Sequence, residues 1–297
     1  MPREDRILTG LALRLLSAFC LASLAALIKL AQAQGAKLPE IMFFRQCVAV
    51  PMLFIIIAAG PGLSVLRPKR FRPIVVRTIV GLIGMVFNFG AILLLPLPEA
   101  TTLQFTAPIF ATILGALVLR EPTGWHRWGA VALGFVGVLI VAQPGSGDIP
   151  LTGALVGLTA AFLIASIAIL LRHIGQTEHP LTTVFWFSLL SVPVLTIPYF
   201  FFAQPHPAET WIVLASIGMV GGLGQLALTS SVRFAPVSTV VPMDYSSLVW
   251  ATVYSWWLFA VLPPAATWVG APVIIISGLY IVWREHRLKL RAATTAA

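Results

Sequence analysis

The sequence predicts an all-α integral membrane protein: ten transmembrane helices, arranged as two inverted five-helix repeats with both termini cytoplasmic. Three observations predict it, namely an apolar composition, an internal repeat and a one-sided distribution of basic residues. Of the 297 residues, 59% are hydrophobic and only 10% charged, with a mean hydropathy of +0.95. Water-soluble domains carry about 25% charged residues, so the solvent of this chain is lipid.

The apolar runs fall near residues 8–30, 40–60, 74–96, 99–119, 127–143, 152–171, 181–203, 210–232, 236–260 and 267–283. A helix needs about 20 residues to cross the hydrocarbon core, so ten spans consume most of the chain and leave only short loops. Their Leu, Ala, Ile and Gly content, without strict period-two alternation, selects helices over barrel strands. The first run lacks a small-residue cleavage site and is read as helix 1, not as a removed signal peptide. The fifth and tenth runs are the shortest and are Gly-rich.

The repeat is visible residue by residue. Leu8, Thr9 and Gly10 recur as Leu151, Thr152 and Gly153, and Ala18, Phe19, Ala22 and Ser23 recur as Ala161, Phe162, Ala165 and Ser166. The same shift of 143 positions carries Lys29 onto Arg172, a shift of 137 carries Gly84 and Asn88 onto Gly221 and Gln225, and a shift of 141 carries Gly129 and Gly137 onto Gly270 and Gly278. One membrane unit is therefore written twice, a hallmark of secondary transporters. The organisation read from this is a first repeat over 1–143, a Gly- and Pro-rich connector over 144–150, a second repeat over 151–284 and a basic cytoplasmic tail over 285–297.

With the N-terminus inside, the inner segments hold Arg3, Arg6, Arg67, Lys69, Arg70, Arg72, Arg120, Arg127, Arg172, Arg233, Arg284, Arg287, Lys289 and Arg291, whereas the outer segments hold Lys29 and Lys37. The positive-inside rule orients the chain accordingly. The net charge of +9 then concerns topology and anionic membrane lipid, with no nucleic acid partner. Since five is an odd number of crossings, the second repeat enters from the opposite face, which gives two interchangeable conformations around a shared site.

Several motifs point further. Phe43-Phe44-Arg45, Thr106-Ala107-Pro108-Ile109-Phe110, Leu119-Arg120-Glu121-Pro122, Gly134-Phe135-Val136-Gly137-Val138, Tyr245-Ser246-Ser247-Leu248-Val249-Trp250 and Ile276-Ser277-Gly278-Leu279-Tyr280 together resemble the drug/metabolite transporter superfamily in its EamA-type ten-helix form. The resemblance covers roughly residues 8–284. It implies an inner-membrane carrier or exporter of small metabolites, with a cavity chiefly between spans 1–4 and 6–9. One departure is Leu262-Pro263-Pro264, where members often carry an acid matching Glu121.

Charge deep in lipid is costly and needs a partner, a watery cavity or a function. Asp244 lies well inside span 9, two residues after Pro242, which frees a backbone carbonyl and bends the helix near the acid. It is either a proton carrier coupling transport or a strut paired with an arginine such as Arg45. Arg45 in span 2 fits carboxylate or phosphate recognition through its planar fork, or is held structurally by backbone carbonyls. Arg14 and Arg77 lie near enough to the cytoplasmic face to snorkel and are read as structural.

Asn88 and Gln225, equivalent in the repeat, are expected to face one another across the pseudo-twofold axis as a substrate platform or as a helix-packing pair. Thr101, Gln104 and Pro108 share one face of span 4, and Tyr245 and Trp250 supply aromatic walls. Trp186 is either a further wall or an interfacial residue. Gly81, Gly84, Gly129, Gly134, Gly137 and the run Gly221-Gly222-Leu223-Gly224 are expected to permit close helix packing.

Cys20 and Cys47 fall inside spans and are read as free thiols. The five histidines (126, 173, 179, 206 and 286) fall in loops or tails without metal-ligand spacing, so no metal and no cofactor are expected. Lacking a P-loop, the chain is not expected to be an ATP-driven pump. The leading reading is a multi-pass secondary transporter of the cell inner membrane, not an enzyme, carrying an amino acid or organic acid by alternating access, with homodimerisation left open. The rivals are an integral membrane enzyme acting on a lipid-linked substrate, which needs clustered acids or histidines at one face, and a passive channel.

Overall fold

Apolar runs of this length satisfy their backbone groups in lipid only by becoming helices, and the breaks between and within them are set by proline and glycine. The computed structural model describes residues 3–117, 125–143, 150–175, 177–235 and 240–295. Helix α1 is Arg3–Ala33, followed by α2 (Leu38–Cys47), α3 (Ala49–Ala59), a 3-10 turn (Leu63–Leu66), α4 (Phe71–Leu94), α5 (Leu97–Gln104), α6 (Ala107–Leu117) and α7 (Trp125–Ala142). The second half comprises α8 (Leu151–Ile174), α9 (Pro180–Phe202), α10 (Ala208–Phe234), a 3-10 turn (Val241–Tyr245), α11 (Ser246–Phe259) and α12 (Ala265–Thr295).

Eight stretches among the described residues are long and apolar enough to cross a membrane. The predicted fifth span contributes only the shorter apolar helix Trp128–Ala142. The ninth opens as a 3-10 turn before α11, and the tenth, expected to be short, instead runs as one helix through the basic tail to Thr295. Residues 144–149 of the connector and the Leu119–Pro122 motif lie outside the described residues.

Spans 2 and 4, expected as continuous helices, are each interrupted, and proline gives the reason. Pro51 lacks the N–H that would bond Cys47, where α2 ends, and Pro108 lacks the one that would bond Gln104, where α5 ends. Pro242 sits in the 3-10 turn of span 9. Pro193, Pro198 and Pro272, by contrast, are accommodated inside α9 and α12.

The repeat reappears as packing. Helix α1 lies antiparallel on α10: Gly10 faces Ala235, Leu24 faces Gly221, and the Ser17 hydroxyl donates to the Gly224 carbonyl at 3.0 Å. Helix α8 lies in the same way on α4, with Gly153 facing Leu95 and Ile167 facing Gly84. The shifts that map Leu24 onto Ile167 and Gly84 onto Gly221 thus map one contact onto the other. Helix α7 packs antiparallel on α12, where Gly137 meets Gly270 and Ile274 and the Ser277 hydroxyl donates to the Ala130 carbonyl at 2.6 Å. The close approaches expected at Gly81, Gly84, Gly134, Gly137, Gly221, Gly222 and Gly224 are present, but a side chain at Gly129 would meet nothing within 4 Å.

The largest buried cluster runs from Leu24 and Ile28 of α1 through Phe89 and Ile92 of α4 to Leu214 and Ile217 of α10. Outside it, the ends of α9 and α11 and the start of α12 expose Phe200, Phe201, Trp256, Trp257 and Trp268, amphipathic and aromatic residues of the kind that gather at a membrane interface. Helix α11 ends at Ala260 in the left-handed region (φ 52°), with its N–H bonded to the Trp256 carbonyl. A Cβ in that conformation costs about 1 kcal/mol, which glycine avoids. Ala260→Gly is therefore expected to raise the thermal unfolding temperature of the purified protein by a few degrees, and a fall would show that the cap is not strained.

Candidate functional site

The interior polar residues come together in separate groups. At the 3-10 turn created around Pro242, Asp244 faces Arg14 of α1: the Nε atom of Arg14 donates to Oδ1 at 2.5 Å and Nη2 donates to Oδ2. The strut partner of Asp244 is therefore Arg14 and not Arg45. Arg14, read from the sequence as snorkelling, is buried. The two groups come from opposite halves of the chain, so this pair ties α1 to span 9.

The Asn88 side chain of α4 accepts a hydrogen bond from Gln104 Nε2 at 2.9 Å. Asn88 is paired with Gln104 and not with its repeat equivalent Gln225, which is half-buried and hydrogen-bonds through its side chain to no described residue. Thr101 turns its hydroxyl back to the Leu97 carbonyl of its own helix at 2.7 Å. Tyr245 packs edge-on against Phe105 (4.8 Å between ring centres), and its buried hydroxyl, beside Gly278, has no hydrogen-bond partner among the described residues. Trp250 meets Phe19 edge-on at 4.9 Å and remains 38% exposed. Trp186 is a latch: its indole N–H donates to the Leu66 carbonyl at 2.7 Å.

Arg77, read from the sequence as snorkelling, is enclosed by protein, as is Arg45. Both are buried, Arg45 at 8% and Arg77 at 4% exposure. The Arg77 guanidinium lies 3.7 Å from the centre of the Phe187 ring, a cation–π contact. The Arg45 stem runs past Gly221 of α10.

Three acids escaped the sequence reading of the interior. Glu40, three residues after Lys37, reaches back to the Lys37 N–H (2.8 Å) and also engages the Gln204 N–H (3.1 Å) and His206 Nε2 (2.9 Å), closing the start of α2 onto the end of α9. Its place in the first turn of a helix is the one signal that pointed to it. Glu178 accepts from the backbone N–H groups of Lys69 and Arg70 at 3.0 and 2.7 Å. Glu99, at the edge of span 4, is buried and accepts from the Thr267 hydroxyl at 3.2 Å. Near it, Lys29 donates to the Ile92 and Leu95 carbonyls at 3.2 and 2.5 Å; Ile92 is the carbonyl that Pro96, lacking an N–H, leaves free.

A bundle of helices long and apolar enough to cross lipid, built as two similar halves, is an architecture that many secondary transporters share. The chain belongs to the EamA-like transporter family, whose model matches it twice, over residues 8–143 and 151–284, and thus to the drug/metabolite transporter superfamily. It is 30% identical to a riboflavin transporter of Vibrio cholerae over 78% of each chain. It is also 28% identical to a pseudopaline exporter of Pseudomonas aeruginosa, over 92% of this chain and 95% of that protein. A protein of known crystal structure, 19% identical, shares the fold with a TM-score of 0.63 over 94% of this chain and 97% of its own.

Proposed function

We propose that this protein is a secondary transporter of the cell inner membrane, moving a small metabolite by alternating access. In this reading the chain crosses ten times, both termini are cytoplasmic, and the repeats over 1–143 and 151–284 are inverted about the 144–150 connector. The observation that carries it is the exchange of packing partners between halves: the contact of Leu24 with Gly221 has its counterpart in that of Ile167 with Gly84. Two equivalent helix pairs of this kind suit rocking of one half against the other around a midplane cavity. Relatives named for riboflavin, pseudopaline and S-adenosylmethionine support a small polar metabolite as cargo.

Arg45, Asn88, Thr101, Gln104, Gln225, Tyr245 and Trp250 are the proposed substrate contacts. Arg45, Gln225 and Tyr245 are the strongest of these, because among the described residues the buried Arg45 Nε and Tyr245 hydroxyl have no hydrogen-bond partner and the Gln225 side-chain amide bonds to none. Asp244, released from Arg14 in one conformation, is the proposed proton carrier. Counterflow in proteoliposomes tests the transporter reading. Labelled metabolite is expected to enter faster when unlabelled compound is preloaded. Entry indifferent to preloading would mean a channel, and chemical change of the compound an enzyme.

A further inference from the structure

We propose that Arg45 and Arg77 together form a seat for a doubly charged oxyanion group, and that a soluble metabolite bearing such a group, as paired carboxylates or a phosphate, is the cargo. This rests on the transporter reading above. Helices α2 and α4, which carry the two arginines, pack on each other and on α9. Both side chains are more than nine-tenths buried, and the Nε of Arg45 and the Nε and Nη1 of Arg77 have no hydrogen-bond partner among the described residues. Arg77 turns its Nη1 up α4 to the level of Gly81, and Gln46, the residue after Arg45, reaches Met85 one turn further along α4, so the two arginines meet the α2–α4 seam about a turn apart.

No acid whose side chain is described is hydrogen-bonded or ion-paired to them. Glu40 is committed to Gln204 and His206, Glu178 to the backbone of Lys69 and Arg70, Asp244 to Arg14, and Glu99 to Thr267; Glu209 is exposed in the first turn of α10. Two like charges left together in a low-dielectric interior are strongly unfavourable, so the pair is built to be neutralised by something that arrives. A guanidinium offers a planar fork matched to carboxylate or phosphate oxygens. Phe187, lying against the Arg77 face, leaves the N–H edge for an acceptor in its plane. Gly81 and Gly221 let the two side chains lie close against helix backbone: a Cβ at Gly81 would lie 3.1 Å from Arg77 Nη1, and one at Gly221 would lie 3.4 Å from Arg45 Cγ.

The test is thermal unfolding and equilibrium binding of the full chain in phosphatidylcholine nanodiscs, with sodium succinate or inorganic phosphate compared against sodium chloride at equal ionic strength. Both dianions are expected to stabilise the protein where chloride does not. Arg45→Gln and Arg77→Gln are each expected to weaken dianion binding by about tenfold or more, the usual loss for one charge-assisted contact. Lys69→Gln, on an exposed loop residue, is expected to leave it unchanged.

Should the glutamine variants not fold, Arg45→Lys and Arg77→Lys keep the charge but lose the fork, and are expected to bind measurably more weakly. Absence of dianion-specific stabilisation, or stabilisation that survives all four variants, would overturn the proposal. Arginine-dependent stabilisation by phosphatidylglycerol in the disc, with no effect of succinate or phosphate, would also overturn it by assigning the seat to a lipid headgroup. Counterflow of an uncharged metabolite with no anion binding would sink the seat and leave the transporter reading standing; anion binding without any counterflow would do the reverse.

Discussion

Asp244→Ala is expected to lower the unfolding free energy of the purified protein by about 2–3 kcal/mol and to abolish transport. Removing one member of a fully buried ion pair costs about 3–5 kcal/mol, because the other is left charged in low dielectric; the smaller figure applies here since the Asp244 side chain keeps 33% of its exposure while Arg14 keeps 10%. The double variant Arg14→Leu/Asp244→Leu removes both charges and is expected to recover most of the lost stability, as apolar replacement of a whole pair often does. That recovery separates the two roles of Asp244. As a proton carrier it is needed for accumulation driven by a pH gradient, so the stable double variant would exchange substrate without accumulating it. As a strut alone it is dispensable once the pair is gone, and proton-driven accumulation by the double variant would reject the coupling role.

Legibility in the sequence followed range. The apolar runs, the repeat and the bend near Asp244 rest on composition or on a few adjacent residues, and the helices stand close to where those signals put them. The partner of Asp244 was not legible, since Arg14 is 230 residues away and both Arg14 and Arg45 met the chemical requirement. Arg77 illustrates a different loss: distance along a helix places it near one membrane face, but not on which side of the helix it points, and its side points at Phe187. The repeat equates Asn88 with Gln225, but equivalence under a twofold relation does not require contact, and Gln104 on the neighbouring helix donates to the Asn88 side chain. The breaks at Val48 and Phe105 were in principle readable from Pro51 and Pro108, yet α9 holds two prolines without interruption, so proline alone does not decide the outcome in a packed bundle.

The repeat also equates Gly129 with Gly270, and here the two copies part company. Gly270→Leu is expected to force α12 away from α7, because a Cβ there would lie 2.8 Å from the Gly137 carbonyl oxygen and 2.6 Å from Val141 Cγ2. A backbone oxygen cannot rotate aside as a side chain does, so the helices themselves must separate. Separation loosens the Gly137–Ile274 contact and the Ser277–Ala130 hydrogen bond on the same seam. Overpacking of this kind costs about 1–3 kcal/mol, and a full leucine side chain against backbone belongs at the upper end. Gly129→Leu meets open space and is expected to change stability by no more than about 0.5 kcal/mol, as surface substitutions do. Thermal unfolding of the two variants under identical conditions checks the contrast, and equal losses would mean that the tight seam between α7 and α12 is not what holds the halves together at this crossing.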